Sequence, residues 1–130
     1  MLLDTSGLLC LYHRSEPFHS LACAAYAAAD RRLTHAYVLA EFVALAAARR
    51  LPRHMTLQFV SDLLDNPDIH TLWVDEVIHR EAMALLQSRL DKSYSLCDAV
   101  SFVLMRHNNV HEALTTDRHF EQEGFRRLLV

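Results

Sequence analysis

The stretch "MLLDTSGLLCLYHR" (1–14) opens with an apolar run stopped by an acid, Asp4, and continues into a second apolar segment. Residues 1–4 read as a buried strand and residues 5–14 as a short helix behind it. Strand and helix candidates alternate along the chain, without an internal repeat. "LTH" (33–35) is a brief strand candidate, and the alanine-rich "AYVLAEFVALAAARR" (36–50) is a helix stopped around Pro52. "DIHTLWVD" (68–75) is β-branched and aromatic enough for a strand, and "DEVIHREAMALLQSRL" (75–90) has helical spacing. "HEALTT" (111–116) is a strand candidate, "DRHFEQEG" (117–124) a short helix stopped by Gly124, and "FRRLLV" (125–130) a last strand. Residues 16–32, 53–66 and 95–108 fill in as further helices, with Pro17 in a permitted first-turn position. Strands alternating with helices predict an α/β domain built on a parallel sheet. Ligands of such sheets bind beyond the carboxyl ends of the strands, so acids that end strands are of interest.

Composition sets the outer limits. The 130 residues suit a single domain, 1–130, and 52% apolar residues supply a core. Only two glycines and three prolines break the chain, in keeping with a helix-rich fold. The net charge of −3 gives no general case for nucleic acid or anionic membrane. Lys92 is the sole lysine among thirteen cationic side chains; the rest are arginines, whose forks suit phosphate. Cys10, Cys23 and Cys97 are widely spaced among apolar neighbours and read as buried free thiols in a reducing cytoplasm. No signal peptide or membrane span is expected.

Four acids fall in notable places, and each has an ordinary explanation. Asp4 is placed to cap the helix at 5–14. Glu41 sits among Tyr37, Val38, Ala44 and Leu45 with no cation one turn ahead; it is either the exposed edge of an amphipathic helix or a carboxylate aimed into a pocket. Ser95 and Asp98 have capping-box spacing. Asp117, in "EALTTDRHF" (112–120), is a natural helix cap. Taken together they differ, because a parallel α/β sheet brings these positions to one edge. Carboxylates gathered there repel one another unless cations neutralise them. Hard oxygen donors of this kind suit Mg²⁺ or Mn²⁺, and carboxylate-held metals serve phosphoryl displacement.

Four segments, in order, resemble the PIN-domain ribonucleases: "LLDTSGLL" (2–9), "LAEFVAL" (39–45), "YSLCDAVSFVLM" (94–105) and "LTTDRHFEQEGF" (114–125). The subgroup that fits best is the compact VapC-type toxin of bacterial toxin–antitoxin pairs. The resemblance implies a three-layer α/β/α fold with a short central parallel sheet of about four to five strands surrounded by helices. It implies an acidic site of Asp4, Glu41, Asp98 and Asp117 holding Mg²⁺ or Mn²⁺, and hydrolysis of RNA. Thr5, Ser6, Thr115 and Thr116 would support the acids through hydrogen bonds. A homodimer and a partner antitoxin covering the site are implied as well, with the alanine-rich helix at 20–29 as a contact surface or as plain core. Lys92, with Asp91, and Arg14 are candidate substrate contacts, as are Arg49, Arg50 and Arg53.

Other readings weigh less. Nine histidines invite zinc, but there is no H-E-x-x-H and no Cys/His pair at finger spacing; His79 and His107 read as exposed residues beside arginines. Phosphate-binding glycine motifs are absent. A PIN nuclease of RNA processing, and a non-catalytic PIN-like binding protein, are the alternatives.

Overall fold

A computed structural model describes all residues, 1–130. Five short strands form one parallel sheet in the order β3-β2-β1-β4-β5: β1 (Leu2–Leu3), β2 (Leu33–His35), β3 (His70–Leu72), β4 (Glu112–Leu114) and β5 (Arg126–Arg127). Leu2 lies opposite Leu33 on one side and Ala113 on the other, which fixes the central register. Seven helices surround the sheet: α1 (Thr5–Tyr12), α2 (His19–Ala28), α3 (Ala36–Ala48), α4 (Arg53–Asp65), α5 (Glu76–Gln87), α6 (Leu96–His107) and α7 (His119–Gln122). Every expected strand and helix forms. The ends fray inward: the helix expected at 16–32 is ordered as α2 only over His19–Ala28, and the last strand shrinks to two residues.

Successive strand residues point to opposite faces, which explains why the central strands are apolar throughout. Leu3 and Leu114 join Leu8, Val38, Phe42 and Leu63 under α1, α3 and α4. Leu2 and Ala113 face the other layer, where Phe102 packs edge-on against Tyr94 and Phe120 and stacks with Phe125. α6 is the buried strut of that layer: all residues from Cys97 to Met105 are buried. His35 caps α3, its Nδ1 accepting from the Val38 amide, so its Nε2 donates to Ser101 Oγ on α6 at 2.8 Å.

Gly7 lets α1 approach the sheet. A Cβ there would stand 1.9 Å from the Leu114 carbonyl oxygen, so no other residue fits without moving backbone. α3 ends with Arg50 in the left-handed region (φ 57°) ahead of Pro52, a termination glycine usually provides. No helix is long and apolar enough to cross a membrane.

Candidate active site

β1 is the centre of the sheet, with β2 on one side and β4 on the other. The chain therefore leaves β1 and β4 in opposite directions, and a crevice opens at their carboxyl ends. Asp4 leaves β1 there, and Thr115 and Asp117 leave β4. Asp98 enters from the first turn of α6, and Glu41 lies on α3.

Hydrogen bonds fix the proton directions in this crevice. Thr115 Oγ1 donates to Asp4 Oδ2 at 2.7 Å. Its proton thus committed, Thr115 accepts from the Asp117 amide at 3.0 Å and from the Ser6 hydroxyl at 3.1 Å. Ser6 Oγ in turn accepts the Thr116 amide at 3.0 Å. One fully buried threonine therefore ties the exit of β4 to the acid of β1. Asp98 is held by the expected capping box: its backbone amide bonds Ser95 Oγ and its Oδ2 accepts the Ser95 amide. The same Oδ2 meets His119 Nδ1 at 3.0 Å, while Oδ1 takes no hydrogen bond from the protein. Asp117 Oδ1 accepts the His119 amide at 2.9 Å.

The electrostatics are those of a site short of positive charge. Asp4 is 5% exposed. Burial pushes its carboxyl up from 3.8 to about 7; the Thr115 hydrogen bond works against the rise, and the charges of Asp98 and Glu41 add to it. Burial, and then Glu41, Asp4 and Asp98, raise the Cys97 thiol far above its ordinary range, so this sulfur is neither nucleophile nor thiolate. Three of the acids thus act on one point. Ligand atoms of Asp98, Asp117 and His119 lie within 4.8 Å of one another. The Thr5 hydroxyl is buried without a partner. Oxygen donors with one free carboxylate oxygen, an orphaned hydroxyl and a raised proton affinity fit a hard divalent cation.

Several expectations are corrected. Asp4 occupies the cap position of α1, but its side chain makes no capping hydrogen bond; the carboxylate is turned to Thr115 instead. Asp117 does not cap α7, which starts at His119 behind Arg118; it closes a local turn onto the His119 amide. Thr116 takes part through its backbone amide, and Thr5 supports no acid through its hydroxyl. Of the two readings of Glu41, the exposed edge holds, with its charge still felt at Asp4 and Cys97. Cys10 and Cys97 are buried, but Cys23 is exposed, because α2 buries only Ala22. His79 is half-buried and bonded to Tyr37, whereas His107 is exposed and pairs with Glu81.

Lys92 pairs with its neighbour Asp91 at 3.3 Å and Arg49 with Glu16, while Arg14, Arg50 and Arg53 are exposed without ion pairs. Sequence reasoning missed His119, which stands inside "TTDRHF" but carries no spacing signal of its own. It also missed Arg118, exposed and unpaired between Asp117 and His119. An apolar cavity of about 220 Å³ is lined by Leu8, Leu11, Tyr26, Phe59 and Leu63 and includes none of the four acids.

The model of one family, described as the PIN domain, matches residues 1–125. The chain belongs to the PIN domain family. A solved structure carries the same fold: VapC20 of Mycobacterium tuberculosis, described as a sarcin–ricin loop cleaving toxin, superposes with a TM-score of 0.86 over 95% of both chains at 24% identity. No curated protein sequence matches this chain. The three-layer PIN architecture places the crevice at the β1/β4 switch point, where the acids are found.

Proposed function

We propose that this PIN protein is a metal-dependent endoribonuclease that hydrolyses RNA phosphodiester bonds as the toxin of a toxin–antitoxin pair. The observation that carries the reading is the buried Asp4 carboxylate, loaded by the charges of Asp98 and Glu41 at the switch point of the sheet. Asp4, Glu41, Asp98 and Asp117 would hold Mg²⁺ or Mn²⁺. Such an ion, when bound, activates water and steadies charge on a phosphoryl group. The protein's own residues prepare the place. Thr115, itself bonded by Ser6, fixes Asp4, and the Ser95 amide fixes Oδ2 of Asp98 so that Oδ1 is left for the cation.

Arg14, Arg118 and Lys92 are the cations proposed to meet RNA phosphates. The likeness to VapC20 supports the toxin assignment and makes a structured RNA loop the substrate class to test first. The partners are a cognate antitoxin and a second copy of the chain, in the cytoplasm. The antitoxin surface includes the outward face of α2, where Leu21 is exposed, and that of α4, where Leu57 and Leu64 are exposed. Without a partner these side chains would stay in water.

Mapped cleavage of total RNA tests the reading. The wild type with Mg²⁺ is expected to cut at few positions, and Asp98→Ala or chelation to abolish the cuts. Growth arrest on expression, relieved by Asp98→Ala, separates a toxin from a PIN nuclease of RNA processing. Uncut RNA with wild type and Mg²⁺ would favour a non-catalytic binding protein.

A further inference from the structure

We infer that His119 is a positioning residue for the acidic site, a clamp that sets Asp98 against Asp117. Three chain segments meet on its imidazole. Nδ1 is 3.0 Å from Asp98 Oδ2, at the start of α6, and 3.3 Å from Asp117 Oδ2, beyond β4. Nε2 is 3.2 Å from Ser93 Oγ, in the loop before α6. The Tyr94 ring packs edge-on against the imidazole at 5.2 Å.

The contacts decide the tautomer. Both carboxylate oxygens are acceptors, so Nδ1 carries the proton. In the neutral ring Nε2 is then an acceptor, and the Ser93 hydroxyl donates to it. The neutral ring hydrogen-bonds Asp98 and Ser93, with Asp117 Oδ2 within ion-pair distance of the same Nδ1. Its Nδ1–H is the one side-chain donor that reaches both carboxylates, which lie on different elements and repel each other.

The clamp has its own anchor. Tyr94 donates through its hydroxyl to Glu123 Oε2 at 3.0 Å, and Glu123 is bound by Arg89 at 3.1 Å and Arg106 at 3.0 Å. The loop at 88–95 is thereby fastened to the end of α7, and the imidazole is held from both edges. A direct ligand role for His119 fits the geometry less well. Nδ1 is engaged by the two acids and Nε2 by Ser93, so a ring nitrogen could reach a cation only by giving up these bonds. Donors behind metal-binding carboxylates set their orientation and basicity.

The inference rests on the metal reading above. Its test is Mn²⁺ binding, followed by loss of the free-ion paramagnetic resonance signal, on folded protein without RNA. His119→Ala is expected to weaken Mn²⁺ binding about ten- to a hundredfold. His119→Asn, whose amide nitrogen can take the place of Nδ1–H, is expected to recover most of it. Ser93→Ala, which frees only the far edge of the ring, is expected to cost less than His119→Ala. Should His119→Ala fail to fold by circular dichroism, the comparison of His119→Asn with His119→Leu replaces it. Wild-type affinity in His119→Ala, or His119→Asn no better than His119→Ala, overturns the clamp while leaving the metal site standing. A wild type that binds no Mn²⁺ overturns the metal reading and the clamp with it.

Discussion

Asp4 and Asp117 carry opposite lessons about the single residue. Asp117 Oδ1 accepts the His119 amide in a local turn that asparagine can also make, while its Oδ2 lies 3.3 Å from His119 Nδ1, a contact that an amide nitrogen loses. Asp117→Asn should therefore keep the turn and cost about 1 kcal/mol of stability while lowering RNA cleavage by at least an order of magnitude; equal cleavage would reduce Asp117 to a turn residue. Asp4 is a buried carboxyl that favours its proton. Because its folded value, about 7, lies above its ordinary 3.8, its stabilising contribution is complete below 3.8 and is lost as pH rises through about 7. The difference is worth of order 4 kcal/mol at most. At pH 8, Asp4→Asn should thus raise the melting temperature measured in chelator and abolish the cleavage measured with Mg²⁺. His35 runs the other way. Burial lowers its value from 6.5 to about 4, so its contribution is present above 6.5 and lost as pH falls toward 4. In the Asp4→Asn background, where the first effect is gone, the melting temperature should fall between pH 7 and pH 5.

At the scale of elements, the site depends on how closely α1 lies on β4. Gly7 permits that approach, and a methyl group there meets backbone rather than a movable side chain. Gly7→Ala is expected to destabilise by several kcal/mol, as overpacking against a fixed chain does, and to separate Asp4 from Thr115. Chemical denaturation measures it; wild-type stability would mean that α1 can slide freely. Ser95→Ala removes the cap of α6 and should cost about 1 kcal/mol, with a larger loss of activity, since the same motif aims Asp98.

Element type was readable because the chain has few breakers and clear changes of period. Every strand and helix named from the sequence forms. Boundaries were less readable, because propensity does not tell where tertiary contacts end. The sequence placed the four acids on the elements that line one crevice, but it could not show which contacts hold them. Ser95–Asp98 was legible because capping is local. Thr115 to Asp4 spans 111 residues, and His119 to Ser93 and Asp98 joins three segments. Cys23 was misjudged for a related reason: apolar alanine neighbours suggest a core, but α2 lies on the surface and buries a single residue.

For the whole molecule, the two core layers on either side of the sheet hold a scaffold whose least satisfied part is the crevice. Free energy that the fold forgoes by gathering acids there is returned when a cation binds the native state alone. At a concentration a hundred times its dissociation constant, a divalent ion should stabilise the protein by about 2.7 kcal/mol, more at pH 8 than at pH 5, where Asp4 is protonated. The most direct test is a crystal grown with Mn²⁺ and read by its anomalous difference density. A peak bounded by the carboxylates of Asp4, Glu41, Asp98 and Asp117 is the expected result. An empty crevice, or a peak only away from these carboxylates, would contradict it.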